Sequence, residues 1–114
     1  MAKHIDVSKA DGTWVVRAGG AVLAESQNAV KLTEGSASPV IYFPRDDIAM
    51  DFLDASERTS HCPHKGDAVY FSIVTKSTTI QDAAWSYETP KDDVSAIAGH
   101  LAFYDTDQVA VEQV

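Results

Sequence analysis

The segment from His61 to Gly66 brings two imidazoles, one thiol and one ammonium group into six positions. With His100 or a carboxylate it could hold a transition metal, and a thiolate stabilised by His or Lys could act as a nucleophile. No Cys-x-x-Cys pair accompanies the segment, so we expect a metal-free protein. Cys62 is then a small buried apolar side chain, Pro63 shapes a loop, and His100 is structural.

Lys65 and Gly66 could bind an anion, because glycine lets a backbone N–H approach closely and lysine supplies a point charge. The alternative is a turn with a solvated lysine. If Lys65 is an exposed charge, its replacement by alanine costs little stability and removes affinity for an anionic ligand.

Trp85 and Tyr87 alternate with Ser86 and Glu88 in a predicted strand, so the two rings project from one face. A pair of rings on one face can form the wall of a ligand site, since ring faces bind planar apolar groups or cations. Core packing is the alternative use of such a pair.

Tyr42, Arg45 and Tyr104 complete the candidate ligand-binding residues. Arg45 follows Pro44 at the end of a predicted strand, where side chains often reach ligands. It can equally pair with an aspartate close in the chain, namely Asp46, Asp47 or Asp51. No catalytic residue is assigned from the sequence.

Alternation of apolar and polar residues predicts the strands that must position these side chains. They are 14–17, 21–24, 30–33, 40–43, 69–74, 78–87 and a terminal strand through Val109 and Val111. Ala18 to Gly20 is the turn of a hairpin, and Lys76 and Ser77 form a second tight turn. The polar segment from Ser56 to Lys65 is predicted to be a loop.

Two short helices are predicted. Pro44 can open the first, with Ile48, Phe52 and Leu53 facing inward, although Ile48, Met50 and Phe52 also alternate as a strand would. The second begins near Pro90, with Thr89 as its cap and Val94, Ile97 and Leu101 at helical spacing. The expected fold is mainly β, a curled and mostly antiparallel sheet, tent- or barrel-like, in one domain over residues 1–114.

Composition excludes several classes of protein. Nine Lys and Arg against 17 Asp and Glu give a net charge of −8, which repels phosphate backbones and anionic membranes. A single cysteine excludes an intramolecular disulfide. No apolar run is long enough to span a membrane, and residues 1–10 lack the apolar core of a signal peptide. We therefore expect a cytoplasmic protein that binds neither nucleic acid nor membrane.

Several short motifs follow one another along the chain. They are Val40-Ile41-Tyr42-Phe43-Pro44 with Asp47-Ile48, Cys62-Pro63-x-Lys65-Gly66-x-Ala68-x-Tyr70, Ala84-Trp85-x-Tyr87-x-x-Pro90, and Ile97-x-Gly99 with Phe103-Tyr104. In order and spacing, from Trp14 to Val111, the chain resembles the domain-of-unknown-function 427 family. One departure is that Thr59 and Ser60 are followed by His61, where the family usually has Thr close before Cys-Pro.

The resemblance implies a small, mainly β domain of bacteria and fungi, sometimes labelled nucleotidyltransferase-like. The chain has no Gly-Ser pair shortly ahead of an Asp-x-Asp pair, the arrangement that would hold catalytic magnesium. The polar and aromatic residues that match the family are Cys62, Lys65, Trp85, Tyr87, Tyr42 and Tyr104.

Three functions remain open. The first is a small-molecule-binding domain, with or without an unassigned catalytic activity, in which Lys65 meets a small anionic or aromatic ligand against a wall of Trp85 and Tyr87. The second is an enzyme that transfers nucleotidyl or phosphoryl groups, for which dependence on metal would be diagnostic. The third is a protein-interaction module without a pocket. No cofactor is expected, and a homodimer is an open alternative.

Overall fold

A computed structural model describes residues 4–114 as a mainly β structure with short 3-10 turns, which confirms the expected fold class. The strands of this part of the chain are β1 (Ile5–Lys9), β2 (Trp14–Ala18), β3 (Ala21–Ser26), β4 (Val30–Glu34), β5 (Val40–Tyr42), β6 (Leu53–Cys62), β7 (Gly66–Val74), β8 (Thr79–Tyr87), β9 (Leu101–Phe103) and β10 (Val109–Gln113). The 3-10 turns span Arg45–Asp47, Met50–Phe52 and Asp92–Ile97.

The strands form three antiparallel sheets, with the orders β1-β4-β5, β10-β2-β3 and β6-β7-β8-β9. Phe43 and Leu101 join the first sheet to the third through two backbone bonds of 2.7 and 2.9 Å. Ala24 and Ile48 form a further bridge beside β3. The sheets do not close into a barrel, so the barrel-like form of the expected architecture is not the one observed.

Two apolar clusters lie within the fold. The larger one packs β2, β3, β7 and β9 together around fully buried Val16, Leu23, Phe43, Ile73 and Leu101. The smaller one lies between β4, β5, β7, β8 and the last 3-10 turn. Its buried members are Leu32, Tyr42, Ala68, Tyr70, Tyr87, Val94, Ile97 and Ala102. Because three tyrosines belong to this second cluster, it contains polar hydroxyls that need partners.

The β2–β3 hairpin turns at Gly19 and Gly20, as the sequence predicts. Both glycines have a positive φ, 57° and 77° respectively. Type I′ turns require this at both central positions, and only glycine adopts it without strain. The tight turn around Lys76 and Ser77 is also present, closed by the bond from the Thr75 N–H to the Thr78 carbonyl.

The prediction of a loop from Ser56 to Lys65 is wrong over most of its length. Residues up to Cys62 belong to β6, which pairs with β7 and forms one edge of its sheet. An edge strand has one neighbour and is largely solvated, so it needs no apolar alternation. Its pairing shifts between Ala55 and Thr59, a β-bulge that further obscures the pattern. Only the turn from Pro63 to Lys65 remains as a loop.

The helix predicted from Pro90 to Leu101 is a shorter 3-10 segment, Asp92–Ile97. Val94 has a non-helical backbone (φ −123°, ψ 26°), so the i→i+4 pattern cannot propagate through it. Lys91 rather than Thr89 precedes the segment, without a side-chain cap, and Leu101 lies in β9. The short helix predicted after Pro44 is two separate 3-10 turns, and Ile48 and Leu53 are buried there as expected.

Three strands were not predicted from the sequence, namely β6, β9 and β1. β1 pairs with β4 over its full length, from Ile5 opposite Glu34 to Lys9 opposite Val30. Within residues 4–114, no helix has the length and apolar character needed to cross a membrane.

Candidate functional site

All four tyrosines of the chain line one cavity of about 240 Å³, which we call the tyrosine cavity. Tyr42 comes from β5, Tyr70 from β7 and Tyr87 from β8, while Tyr104 directly follows β9. The other lining residues are Leu32, Glu34, Ala37, Ser38, Val40, Lys65 and Trp85. The cavity therefore lies where the first and third sheets meet.

Trp85 contacts two of the tyrosines that line the cavity, Tyr42 and Tyr104. The centroid of its ring lies 4.5 Å from that of the Tyr104 ring, and the two ring planes are tilted by 43°. Trp85 also meets Tyr42 edge to face, with centroids 6.3 Å apart, and its indole N–H donates a 3.3 Å hydrogen bond to the Tyr42 hydroxyl. Tyr42 is 1% exposed, so it provides a fixed acceptor, whereas Tyr104 is 40% exposed and forms the outer rim.

Lys65 forms an ion pair with Glu34 in the same cavity. Its Nζ donates to Glu34 Oε1 across 2.8 Å, and the two side chains are only 12% and 20% exposed. The ammonium also lies 5.9 Å from the centroid of the Tyr87 ring. Lys65 is therefore a largely buried, paired cation. The expectation of an exposed charge that alanine could replace at little cost does not hold.

The backbone around Lys65 fixes the position of its side chain. The Lys65 N–H donates to the Cys62 carbonyl (3.2 Å), which closes the turn between β6 and β7, and the Lys65 carbonyl accepts from the Lys91 N–H (2.9 Å). Burial acts to lower the pKa of Lys65, but the Glu34 carboxylate and the nearby Tyr87 and Cys62 groups outweigh it, so the pKa is raised above its ordinary value. The lysine remains protonated at neutral pH.

Burial also keeps the tyrosines of the cavity in their neutral form. It is the main cause that raises the pKa of Tyr87 to about 12, with a further contribution from Tyr42, while Lys65 opposes the shift. Burial raises the pKa of Tyr42 as well, against the opposing effects of the Trp85 hydrogen bond and the Lys65 charge. At neutral pH these hydroxyls are therefore hydrogen-bonding groups and not bases.

The structure brings together five of the eight candidate residues from the sequence, namely Tyr42, Lys65, Trp85, Tyr87 and Tyr104. Cys62 is half-buried against the smaller apolar cluster and does not line the cavity. Gly66 pairs with Cys62 at the start of β7, with φ 120°, a conformation that favours glycine. Its role is in the hairpin.

Arg45 lies apart from the tyrosine cavity. Its Nε donates to the Gly99 carbonyl (2.8 Å), and its Nη2 pairs with Glu88 Oε1 (2.7 Å). Glu88 in turn accepts from buried Ser86 on the opposite face of β8 from Trp85 and Tyr87. Arg45 thus ties the chain after β5 to the turn before β9.

His61 and His100, two of the possible metal ligands, make separate contacts. His61 Nδ1 lies 2.7 Å from Asp67 Oδ1 at an exposed position, and His100 Nδ1 lies 3.1 Å from the Ala98 carbonyl oxygen. In the described part of the chain, no three His, Cys, Asp or Glu side chains converge as a metal site requires.

A second cavity of about 460 Å³ adjoins the first and is more apolar. Four residues line both cavities, Ser38, Val40, Trp85 and Tyr104. The neighbouring, tilted rings of Trp85 and Tyr104 therefore form a partition between the two spaces.

Three residues that form side-chain hydrogen bonds at the site were not among the candidates from the sequence. Glu34 ends β4, and no local pattern indicates that it meets Lys65, which is 31 positions away. Tyr70 belongs to one of the family-like motifs, and this was a usable signal. Its hydroxyl bonds to the third residue, Ser60, across 2.8 Å. Ser60 lay within the segment predicted to be a loop.

The fold and the cavity define a small antiparallel β domain with an aromatic cavity at a junction of two sheets. The chain belongs to the family described as a domain of unknown function, DUF427, whose family model matches residues 6–114. The resemblance inferred from the motifs is thereby confirmed, and it extends further towards the N-terminus than those motifs. No curated protein sequence matches the chain.

Proposed function

We propose that this domain binds a small planar aromatic molecule in the tyrosine cavity. The observation that supports it most is that all four tyrosines, Trp85 and an almost buried Lys65–Glu34 pair line the same space. Ligand sites are concave and mainly apolar, with a few polar groups that fix orientation. Here the rings supply the apolar walls, and the ion pair supplies the polar end.

The Lys65–Glu34 pair favours a ligand with a neutral polar edge at this end. Its lysine can donate a hydrogen bond and its carboxylate can accept one, but the two charges cancel. A ligand anion placed here would compete with Glu34 for the ammonium or lie beside a like charge. A carboxamide or a similar edge, which both accepts and donates, matches the pair.

The size of the cavity limits the ligand. Its volume of about 240 Å³ is just below the roughly 300–1,000 Å³ of sites for drug-sized ligands. A single substituted ring fits such a space. Edge-to-face and tilted contacts with Tyr42, Trp85 and Tyr104 would hold a planar ring better than a puckered one of equal size.

The test is a titration with benzamide, using cyclohexanecarboxamide as the puckered control. Replacing Trp14 by Phe leaves Trp85 as the only indole, so its fluorescence reports on the cavity. We expect saturable quenching by benzamide and weaker binding of the cyclohexane analogue. In ¹H–¹⁵N spectra the shifts should centre on residues that line the cavity.

Lys65→Met should weaken benzamide binding, and Lys76→Met, at an exposed turn position, should not. Equal binding of both carboxamides, or shifts scattered over the surface, would contradict the proposal.

A further inference from the structure

Arg58 is a cation close to the tyrosine cavity. It does not line the cavity, but it covers the ring of Tyr70, which does. Its guanidinium carbon lies 4.4 Å from the centroid of the Tyr70 ring, and the residue is exposed. Among residues 4–114, no carboxylate forms an ion pair with it, whereas Arg45 and Lys65 are both paired. A planar guanidinium has five N–H donors in a fixed fork. Asp54, Glu57 and Asp82 line a separate cavity with Arg58, but none of them forms an ion pair with it in the described part of the chain.

The β-bulge in β6 places Arg58 over this ring. The register of β6 against β7 shifts between Ala55 and Thr59, and Arg58 lies inside the shifted segment. Ser56 stabilises the bulge, because its Oγ accepts from the Arg58 N–H (3.0 Å) and donates to Asp82 Oδ1. Bulges commonly redirect one side chain beside a functional site.

The opposite strand is irregular at the same level. β7 and β8 lose register between Phe71 and Ile73, and Asp82 has φ 51°, which is unusual for a residue other than glycine. The Asp82 N–H donates to Ser72 Oγ, and its carboxylate accepts from Ser56. Asp82 is therefore used to shape the bulge, and within residues 4–114 it forms no ion pair with Arg58.

Arg58 also lies close to the outer rim of the cavity. The Tyr70 ring, which it covers, lines the cavity and is 6% exposed. Burial, the neighbouring Tyr70 hydroxyl and the charge of Asp82 raise the pKa of Tyr104, whereas the charge of Arg58 acts to lower it. The guanidinium is thus within electrostatic reach of both Tyr70 and Tyr104, at the exposed end of the site.

We propose that Arg58 is a specificity-determining residue that binds an oxyanion, a carboxylate or phosphate, carried by the aromatic ligand. The proposal rests on the proposed function and makes its ligand class narrower. The ligand has a neutral polar edge at Lys65 and Glu34, a ring between the tyrosines, and an oxyanion at the exposed end. Guanidinium and oxyanion match in planar, bidentate geometry, which lysine cannot offer.

The experiment compares ligands that differ only in the charge of one substituent. The 3- and 4-carbamoylbenzoates carry the anion, and the corresponding benzenedicarboxamides are neutral and similar in shape. 4-Carbamoylphenyl phosphate distinguishes a phosphate from a carboxylate. Their affinities are measured against the wild-type chain, Arg58→Gln, Arg58→Lys and the control Arg17→Gln, which removes an exposed arginine from β2.

We expect the wild-type chain to prefer one of the anions over its neutral analogue by about tenfold, the effect of one charge-assisted hydrogen bond. Arg58→Gln should remove this preference and leave the dicarboxamide affinity unchanged, Arg58→Lys should retain part of it, and Arg17→Gln all of it. Added salt should weaken the anion alone. This last measurement uses only the wild-type chain, so it remains decisive if a variant does not fold.

Equal binding of charged and neutral ligands by the wild-type chain would overturn the role of Arg58 and leave the proposed function intact. So would a preference for the anion that survives in Arg58→Gln. If neither these ligands nor benzamide binds, the proposed function fails and this inference fails with it.

Discussion

Trp85 donates its indole N–H to the hydroxyl of Tyr42 across 3.3 Å, and this bond connects β8 to β5. The two residues belong to different sheets, so the bond crosses the junction at which the tyrosine cavity lies. It also fixes the orientation of the indole ring that Tyr104 contacts. The partition between the two cavities therefore depends on a hydroxyl that is almost inaccessible to solvent.

Tyr42→Phe should destabilise the domain by about 1–2 kcal/mol, because the half-buried indole N–H loses its acceptor and gains none. Tyr104→Phe is the matched control, and it should cost less because Tyr104 is 40% exposed and water can replace lost bonds. Urea unfolding followed by tryptophan fluorescence measures both. Equal losses in the two variants would show that the Trp85–Tyr42 bond contributes nothing particular.

Lys65→Met should destabilise the domain by about 2–3 kcal/mol, near the low end for a broken buried ion pair, because the Glu34 carboxylate keeps its burial and loses this cation. Lys76→Met, at an exposed turn position, should change stability by less than about 0.5 kcal/mol. A double-mutant cycle with Glu34→Gln isolates the pair, since the second substitution should cost less once the first is present. Strict additivity would contradict a direct coupling of Lys65 and Glu34.

Alkaline pH should destabilise the fold through Tyr87. The ordinary pKa of tyrosine is 10.0 and the pKa of Tyr87 in the folded chain is about 12, so between these pH values the folded state binds more protons than the unfolded state. Stability is full below pH 10 and falls as pH rises through the folded pKa, by at most about 1.4 kcal/mol per pH unit for this group.

The raised pKa of Lys65 acts in the same direction, so the wild-type loss exceeds that from Tyr87 alone. In Tyr87→Phe the decline should be shallower, as measured by urea midpoints between about pH 9 and about pH 11. An identical pH profile in wild type and variant would show that Tyr87 titrates normally.

Arg45→Met should lower stability by about 1 kcal/mol through loss of its bond to the Gly99 carbonyl. It should leave benzamide affinity unchanged, because Arg45 does not line the tyrosine cavity. Thermal unfolding and the fluorescence titration separate the two effects. A loss of affinity at unchanged stability would show that Arg45 binds the ligand, as its position after a predicted strand first suggested.

The sequence predicts the strands with one buried face well, because apolar and polar residues alternate where alternate side chains are buried. β7 and β8 are the clearest cases, and the common face of Trp85 and Tyr87 follows from the same alternation. β6 was missed because a largely solvated edge strand with a bulge has no regular alternation of apolar and polar residues. The helix after Pro90 was predicted too long, since capping residues mark where a helix can begin and not whether Val94 will continue it.

The candidate site, like the fold, could be predicted from the sequence only in part. Residues with unusual chemistry for their position, Lys65 and the aromatic residues, could be identified from type and spacing. Glu34, Ser60 and Arg58 could not be identified in this way, because the side chains that they contact are distant in the chain. Arg45 and Gly66 have the right chemistry for ligand binding, but the structure uses them in local hydrogen bonding and in a turn.

The bulge in β6 has a consequence for how copies of the chain meet one another. β6 is the longest strand described here and lies at a sheet edge, so a straight β6 would offer a ready template for strand pairing between molecules. The bulge interrupts its row of backbone donors and acceptors, and Asp54, Glu57 and Arg58 add exposed charges along it. The same irregularity that contains Arg58, whose guanidinium covers the Tyr70 ring, thus protects this edge from aggregation.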